Sequence, residues 1–266
     1  IEDNFYNNEA CDCTDITVLL GDTVIWTNNG DNVHEVYNPD FPTPGAGGSG
    51  DIGPGETFTV EFNEQAVTVG DSGTVIVRDG DSWTDNSIEG AGNLHDLSVP
   101  HFESLSNSTI FVSGTGGEIW KWSNNSWSDL SNGTGTDVDI YAIDFIDNDK
   151  GFAVGADGLI IATTDGGLSW EIRDPPDEFK DFSFYDLLFF GWEGNPVSLL
   201  VVGSEGTLIQ SSGTGSTGIG FVWRVPSDES EHPTGTTETI RSISGSSRFK
   251  FWVVGDENYI ALSEDG

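Results

Sequence analysis

The sequence predicts an all-β protein: a β-propeller with five recognisable four-stranded blades, read as an incomplete ring, preceded by a β segment of another kind. Three observations predict it. Helical periodicity is nearly absent, and short apolar runs alternate with Gly/Asp/Asn/Ser turns along all 266 residues, 35 of them glycine. Five segments align without gaps: "TVGDSGTV", "VSGTGGEI", "AVGADGLI", "VVGSEGTL" and "VVGDENYI". Their leading glycines, Gly70, Gly114, Gly155, Gly203 and Gly255, are 44, 41, 48 and 52 residues apart, a pitch that suits four short strands per unit. A small sheet of that size cannot bury both faces alone, whereas radial stacking lets each sheet cover the next.

The repeats occupy residues 58–266, in blades of about 58–90, 91–135, 136–180, 181–230 and 231–266, and residues 1–57 form the leading segment. The first unit reads as "AVTVGDSG", "TVIVRDG" and "SWTDN", with "TFTVEF" (57–62) as a candidate inner strand. The second reads as "NLHDLSVP", "STIFVSGTG", "EIWKWSN" and "SWSDLSN". The third is the clearest, with "IYAIDFID" as inner strand, then "KGFAVGAD", "GLIIATTD" and "LSWEIRD". The fourth gives "FYDLLFFG", "SLLVVGSE", "TLIQSSG" and "FVWRVPS". The fifth gives "TIRSISG", "KFWVVGD" and "YIALSED", with no outer strand. The leading glycine of each V-G-x-x-G falls where a hairpin requires positive φ or close backbone approach. Trp83, Trp127, Trp170 and Trp223, near the outer strands, are expected to pack between blades.

The stretch "IDFIDNDKGFAVGADGLIIATTDGGLSW" resembles a blade of the photosystem II assembly and stability factor family, and more widely of the BNR/Asp-box propellers. The Asp-box pattern, Ser/Thr-x-Asp-x-Gly-x-Ser/Thr-Trp, falls on Thr163, Asp165, Gly167, Ser169 and Trp170. The resemblance implies a folding role: the Asp accepts backbone N–H bonds within the hairpin and the Trp packs inward. The fifth unit starts the same pattern with Ser263 and Asp265 and is cut off within it, which favours a piece of a larger ring over a closed five-blade one.

The leading segment differs. "ITVLLGDTVIWTNNGDNVHEV" and "GDIGPGETFTVEF" resemble the first part of a cupredoxin of the plastocyanin or halocyanin kind. That resemblance implies His34 as a first copper ligand. The Cys, second His and Met of such a site should follow Phe62, where "NEQAVTVGDSGTV" supplies none, so the copper site is incomplete. Cys11 and Cys13, with His34, offer an alternative donor set for zinc or copper(I), against a plain turn. "DNDKG" (147–151) has the spacing that opens a calcium loop but lacks the downstream Glu, so an acidic hairpin is expected.

Composition narrows the function. A net charge of −36, from 45 acidic and nine basic residues, repels nucleic acid and anionic lipid. It suits a protein kept soluble in salty water, from a marine or halophilic source. No apolar run approaches a membrane span. The absence of Met means that Ile1 is not a translational start, and sequons at Asn107, Asn124 and Asn132 would allow glycosylation of an exported protein. His34, His95, His101 and His232 are scattered and expected in solvated loops, the alternative being that His95 or His101, which flank an inner strand, faces the central channel. The five arginines, Arg78, Arg173, Arg224, Arg241 and Arg248, are expected on outer strands or turns, away from the cluster a sialidase needs. So few basic residues also leave no arginine-rich surface of the kind the resemblance would imply. The expectation is an exported, cell-surface or extracellular, non-catalytic binding or assembly scaffold for a protein or glycan partner, with no cofactor. The competing classes are a BNR-type glycoside hydrolase and a copper electron-transfer protein.

Overall fold

A computed structural model describes residues 23–27, 57–61, 65–79, 82–100, 108–190, 198–213, 221–224, 235–247 and 250–264. Contacts divide the chain into two compact units, residues 1–67 with 76–85, and residues 68–75 with 86–266. Among the described residues the regular structure is strand, joined by turns that include six three-residue 3-10 segments.

In the leading region β1 (Thr23–Thr27) runs antiparallel to β2 (Thr57–Glu61), with Thr23 opposite Glu61 and Thr27 opposite Thr57. Both are rich in the β-branched and aromatic residues that suit a pleated surface. This pairing corrects one expectation: "TFTVEF" joins β1 and is not the inner strand of the first blade. The first repeat sheet has three strands, in the order β3 (Gln65–Val69), β4 (Val75–Asp79), β5 (Ser82–Asp85). His34, Cys11 and Cys13 lie outside the described residues.

The second unit carries four more sheets. One is β6 (Leu94–Ser98), β7 (Ile110–Gly114), β8 (Ile119–Ser123), β9 (Ser126–Asp129). The next is β10 (Ile140–Phe145), β11 (Gly151–Gly155), β12 (Ile160–Thr163), β13 (Glu171–Ile172). The fourth blade is β14 (Phe184–Phe190), β15 (Ser198–Gly203), β16 (Leu208–Gly213), β17 (Phe221–Arg224). The fifth has three strands, β18 (Ile240–Ser247), β19 (Lys250–Gly255), β20 (Ile260–Ser263). Within each sheet sequential strands pair as antiparallel neighbours. The first strands stand side by side, β6 against β10, β10 against β14 and β14 against β18, which is a propeller's arc of inner strands.

The glycine repeat has one geometry throughout. The leading-glycine N–H donates to the oxygen of Thr74, Glu118, Leu159, Thr207 and Tyr259 in turn, at 2.9–3.1 Å. The next residue's carbonyl receives the N–H of the same five residues, at 3.0–3.4 Å. Two left-handed residues fill each turn, such as Gly116 and Gly117 or Asp157 and Gly158, as in the type I′ turns that match strand twist. The leading glycines themselves are extended; Gly114, for example, has φ −160°. What Gly114, Gly155, Gly203 and Gly255 require is close approach: a Cβ would collide with the carbonyl oxygen of Asn93, Asp139, Ser183 and Thr239, just before each inner strand.

The core lies between blades. Phe111 and Ile119 of the second blade pack with Ile140, Ile143, Phe145, Ile161 and Trp170 of the third. The other face of the third blade (Phe152, Val154, Ile160, Ala162) meets Phe184, Leu187, Leu199, Val201 and Ile209 of the fourth. Leu200, Val202 and Leu208 then meet Ile240, Ile243, Phe251 and Val253 of the fifth. Of the repeated tryptophans, Trp170 is buried in such a seam, edge-on to Phe145 with ring centroids 5.9 Å apart. Trp127 donates its indole N–H to the Asn86 carbonyl at 2.9 Å. Trp83 departs from the expected packing: it is 59 % exposed, with the Arg78 guanidinium over its ring. The side chain of Trp223 lies outside the described residues.

Candidate functional site

The inner strands repeat a short pattern that the glycine alignment conceals: Leu94-His95-Asp96-Leu97, Ile140-Tyr141-Ala142-Ile143, Phe184-Tyr185-Asp186-Leu187 and Ile240-Arg241-Ser242-Ile243. The first residue of each pairs with the leading glycine of the next strand: Leu94 with Gly114, Ile140 with Gly155, Phe184 with Gly203 and Ile240 with Gly255. The register then slips by one, so the second residue is a β-bulge in all four strands. A bulge breaks strict alternation and re-aims a side chain. The first and fourth residues of the last three patterns therefore both serve the seams: Ile140 with Ile143, Phe184 with Leu187 and Ile240 with Ile243.

The four bulged residues meet across the blades. His95 lies 5.3 Å from Tyr141 between ring centroids, Tyr141 lies 5.2 Å from Tyr185, and the Arg241 guanidinium sits 4.6 Å from the Tyr185 ring centre. His95 and Arg241 are exposed, and the two tyrosines are half-buried. Burial first, then the charges of Asp139, Tyr185 and Asp157, push the Tyr141 phenol up. Arg241 forms a two-pronged pair with Asp256, Nε to Oδ1 at 3.0 Å and Nη2 to Oδ2 at 2.8 Å. His95 faces the Ile140 carbonyl oxygen through Nδ1 at 3.0 Å. Since that oxygen can only accept, Nδ1 carries the proton of this contact.

Beneath this row lies a carboxylate network. The edge of each inner strand would leave backbone N–H groups unpaired. Asp96 Oδ2 accepts the Ile143 N–H at 2.9 Å. Asp186 Oδ2 accepts the Ile243 N–H at 2.8 Å and the Ser242 hydroxyl at 2.7 Å. The Ser98 hydroxyl donates to Asp144 Oδ1 at 3.2 Å and accepts the Phe145 N–H at 2.9 Å. Burial pushes Asp96 and Asp144 up to about 6 each, against the pull of these hydrogen bonds and with neighbouring carboxylates adding to the rise. Asp186 is raised for the same first reason. These acids latch one blade to the next.

The Asp-box of the third blade is built from its own hydrogen bonds. Asp165 Oδ1 accepts the Ser169 N–H at 2.9 Å and the Thr163 hydroxyl at 2.8 Å, and Oδ2 accepts the Ser169 hydroxyl at 2.6 Å. Thr163 Oγ1 accepts the Gly167 N–H at 3.0 Å. Burial tends to raise Asp165, but the bonds from Ser169 and Thr163 hold it below the usual carboxylate range. The Trp170 N–H donates to the Gly133 carbonyl at 3.2 Å, tying the box to the second blade. In "DNDKG", Asp147 Oδ1 accepts the N–H groups of Asp149 and Lys150 at 2.9 and 2.7 Å, an acidic hairpin closed on its own backbone.

Two expectations need correction. Arg241 is on an inner strand and not on an outer one, and His95 is on inner strand β6 and not in a loop. His101, His232 and Arg248 lie outside the described residues. Among the described residues no group of three or more His, Cys, Asp or Glu is arranged to hold a metal ion, and no helix is long and apolar enough to cross a membrane.

Comparison with known proteins gives a consistent likeness. Residues 120–231 match the family described as Photosynthesis system II assembly factor YCF48. A stretch of 53 residues is 48 % identical to the photosystem II assembly lipoprotein Ycf48 of Prochlorococcus marinus (strain MIT 9312), covering 19 % of this chain and 15 % of that one. YCF48 from Cyanidioschyzon merolae superposes over 75 % of this chain and 66 % of its own, with 14 % identity and a TM-score of 0.52. A structure described as YCF48 bound to D1 peptide covers 75 % of this chain and 59 % of its own, with 17 % identity and a TM-score of 0.48. The chain thus spans less than two thirds of the length of these relatives. It is a β-propeller that resembles the photosystem II assembly factors, with the family match running from the third strand of the second blade through the fourth blade.

Proposed function

We propose that this chain is a non-catalytic, exported assembly scaffold that presents its blades to a protein partner. The observation that carries this reading is how the inner strands use their acids. Asp96 and Asp186 are taken up in bonds to the backbone of the next blade, whereas the row of bulged side chains is aromatic and cationic. A glycoside hydrolase needs two carboxylates available to substrate. A sialidase needs several arginines converging, whereas the described row of bulged side chains holds a single one, Arg241. The match to an assembly-factor family over residues 120–231, and the identity shared with an assembly lipoprotein, support both the scaffold role and export. No cofactor is part of this proposal, and copper or calcium binding is tested separately by metal analysis after loading.

The test is titration of the purified chain with D1 peptide and with a glycan panel, alongside a fluorogenic sialoside. Saturable peptide binding without sialoside turnover is the expected result. Turnover of the sialoside would replace the scaffold reading with the hydrolase. Binding confined to glycans would replace the protein partner.

A further inference from the structure

We propose that the row His95–Tyr141–Tyr185–Arg241, with the acidic turn tips beside it, is a docking track for a cationic peptide segment of the partner. This deepens the scaffold reading and rests on it. The track has two parallel lines at the pitch of the blades. One is the line of bulged side chains, continuous from His95 to Arg241. The other is a rim made by the turn after each leading glycine, where Asp157, Glu205 and Glu257 occupy equivalent left-handed positions, φ 52°, 54° and 53°, and all three are exposed. The rim acts on the row at two points: the Asp157 charge reaches the Tyr141 phenol, and Asp256 holds Arg241 directly.

The chain displays the recognition chemistry on itself. Arg241 rests on the ring of the preceding blade, Tyr185, while its own blade's turn supplies the carboxylate. A guanidinium between an aromatic face and a carboxylate gains both cation–π and charge-assisted hydrogen-bond stabilisation. The fourth and third blades have no cation at the bulge, and where the fifth has Asp256 they have Ser204 and Ala156; their turn carboxylates, Glu205 and Asp157, stand one residue further on, at the tip. Arginine or lysine side chains of an extended segment would pair with these tip carboxylates alongside the row of rings. The net charge of −36 steers such a segment inward and disfavours an acidic one.

Anisotropy of a labelled peptide with arginines spaced by Gly-Ser tests this, because it isolates the rings from the overall charge. The double variant Tyr141→Leu, Tyr185→Leu keeps the charge and is expected to weaken binding at least tenfold. Tyr141→Phe with Tyr185→Phe, which keeps the ring faces, is expected to stay within about twofold. Thermal melts of both variants separate lost binding from lost folding, and the Phe variant decides the matter if the Leu variant unfolds. Equal affinity of wild type and the Leu variant overturns the track. So does no binding by wild type, or ring-dependent binding of a neutral oligosaccharide in the peptide's place. If D1 peptide still binds in those cases, the scaffold reading stands without the track; if nothing binds, both fall.

Discussion

The third and fifth blades share strand order and turn geometry but not surroundings, and the difference separates what a blade needs for itself from what it offers its neighbour. In the third blade β11 and β12 are buried throughout. In the fifth the equivalent strands alternate: Phe251 and Val253 are buried against the fourth blade, while Trp252, Val254, Ile260 and Leu262 are exposed. The residues of the third blade at those exposed places are Phe152, Val154, Ile160 and Ala162, all packed on the fourth blade. Smaller features agree. The second glycine of the turn, Gly73, Gly117 and Gly158 in earlier blades, would meet the carbonyl oxygen of Ile88, Thr136 and Lys180 if it had a Cβ. The fifth blade has Asn258 there, left-handed at φ 62°. Strand-to-strand pairing is thus intrinsic to each repeat, and the second apolar face is written into the fifth blade without a described neighbour to cover it.

The largest expected effect is a direct contrast across this pair. Ile160 is fully buried and Ile260 is 63 % exposed, although they are equivalent in register. Ile160→Ala should cost about 4 kcal/mol, a large cavity in a seam, and Ile260→Ala within about 0.5 kcal/mol. Denaturant melts of both variants measure this. Comparable losses would mean that the outer face of the fifth blade is covered in solution.

The acids that join inner strands give the next effect, and they also differ along the arc: Asp96 and Asp186 bridge onward, whereas the fifth blade has Ser242 at that place. A carboxyl pushed up from 3.8 to about 6 in the folded state binds a proton there that the unfolded chain releases. Its stabilising contribution is complete below about pH 4 and is lost as pH rises through about 6. A shift of that size corresponds to about 3 kcal/mol for Asp96. The melting temperature should therefore rise when pH falls from 7 to 5. Asp96→Asn, whose amide oxygen can still accept the Ile143 N–H, should flatten that rise. An unchanged pH profile in this variant would remove Asp96 as its source.

Much of this was legible in the sequence, for physical reasons. Left-handed turns favour glycine, so the glycine alignment, complete as V-G-x-x-G in the first, third and fourth repeats, located the second and third strand of each blade, and apolar runs located the others in the second to fifth. Pairing between distant segments leaves no such mark. "TFTVEF" has the composition of any strand, and its partner Thr23–Thr27 lies far upstream, outside the repeat. The inner-strand row was written in the chain as Leu-His-Asp-Leu, Ile-Tyr-Ala-Ile, Phe-Tyr-Asp-Leu and Ile-Arg-Ser-Ile, but the unequal loops that follow put it out of step with the glycines. A bulge, moreover, has no composition of its own. Acid counts could not distinguish the latching Asp96 and Asp186 from the many surface carboxylates.

The second turn glycine allows an exchange between the two blades. Gly158→Asn keeps a residue that tolerates φ +69°, so its cost reports the Cβ pressed on the Lys180 carbonyl, about 2 kcal/mol. Asn258→Gly, at an exposed left-handed turn position, should change stability by less than about 0.5 kcal/mol. If the two exchanges cost the same, crowding by the next blade is not what selects glycine.

The smallest effect concerns the outer edge, where the third blade has its full Asp-box and the second closes β8 to β9 with the left-handed pair Asn124 and Asn125. Asp165 is exposed, so its worth lies in the three bonds that hold Thr163 and Ser169. Asp165→Ala should cost about 1 kcal/mol, the scale of a lost cap. Because the folded state holds this carboxyl below its usual range, its contribution is present above pH 3.8 and lost as pH falls below, opposite in sign to Asp96. Melts at pH 6 and pH 3 separate the two: the deficit of Asp165→Ala should be present at pH 6 and shrink at pH 3. A constant deficit would assign the loss to the side chain's packing and not to its charge.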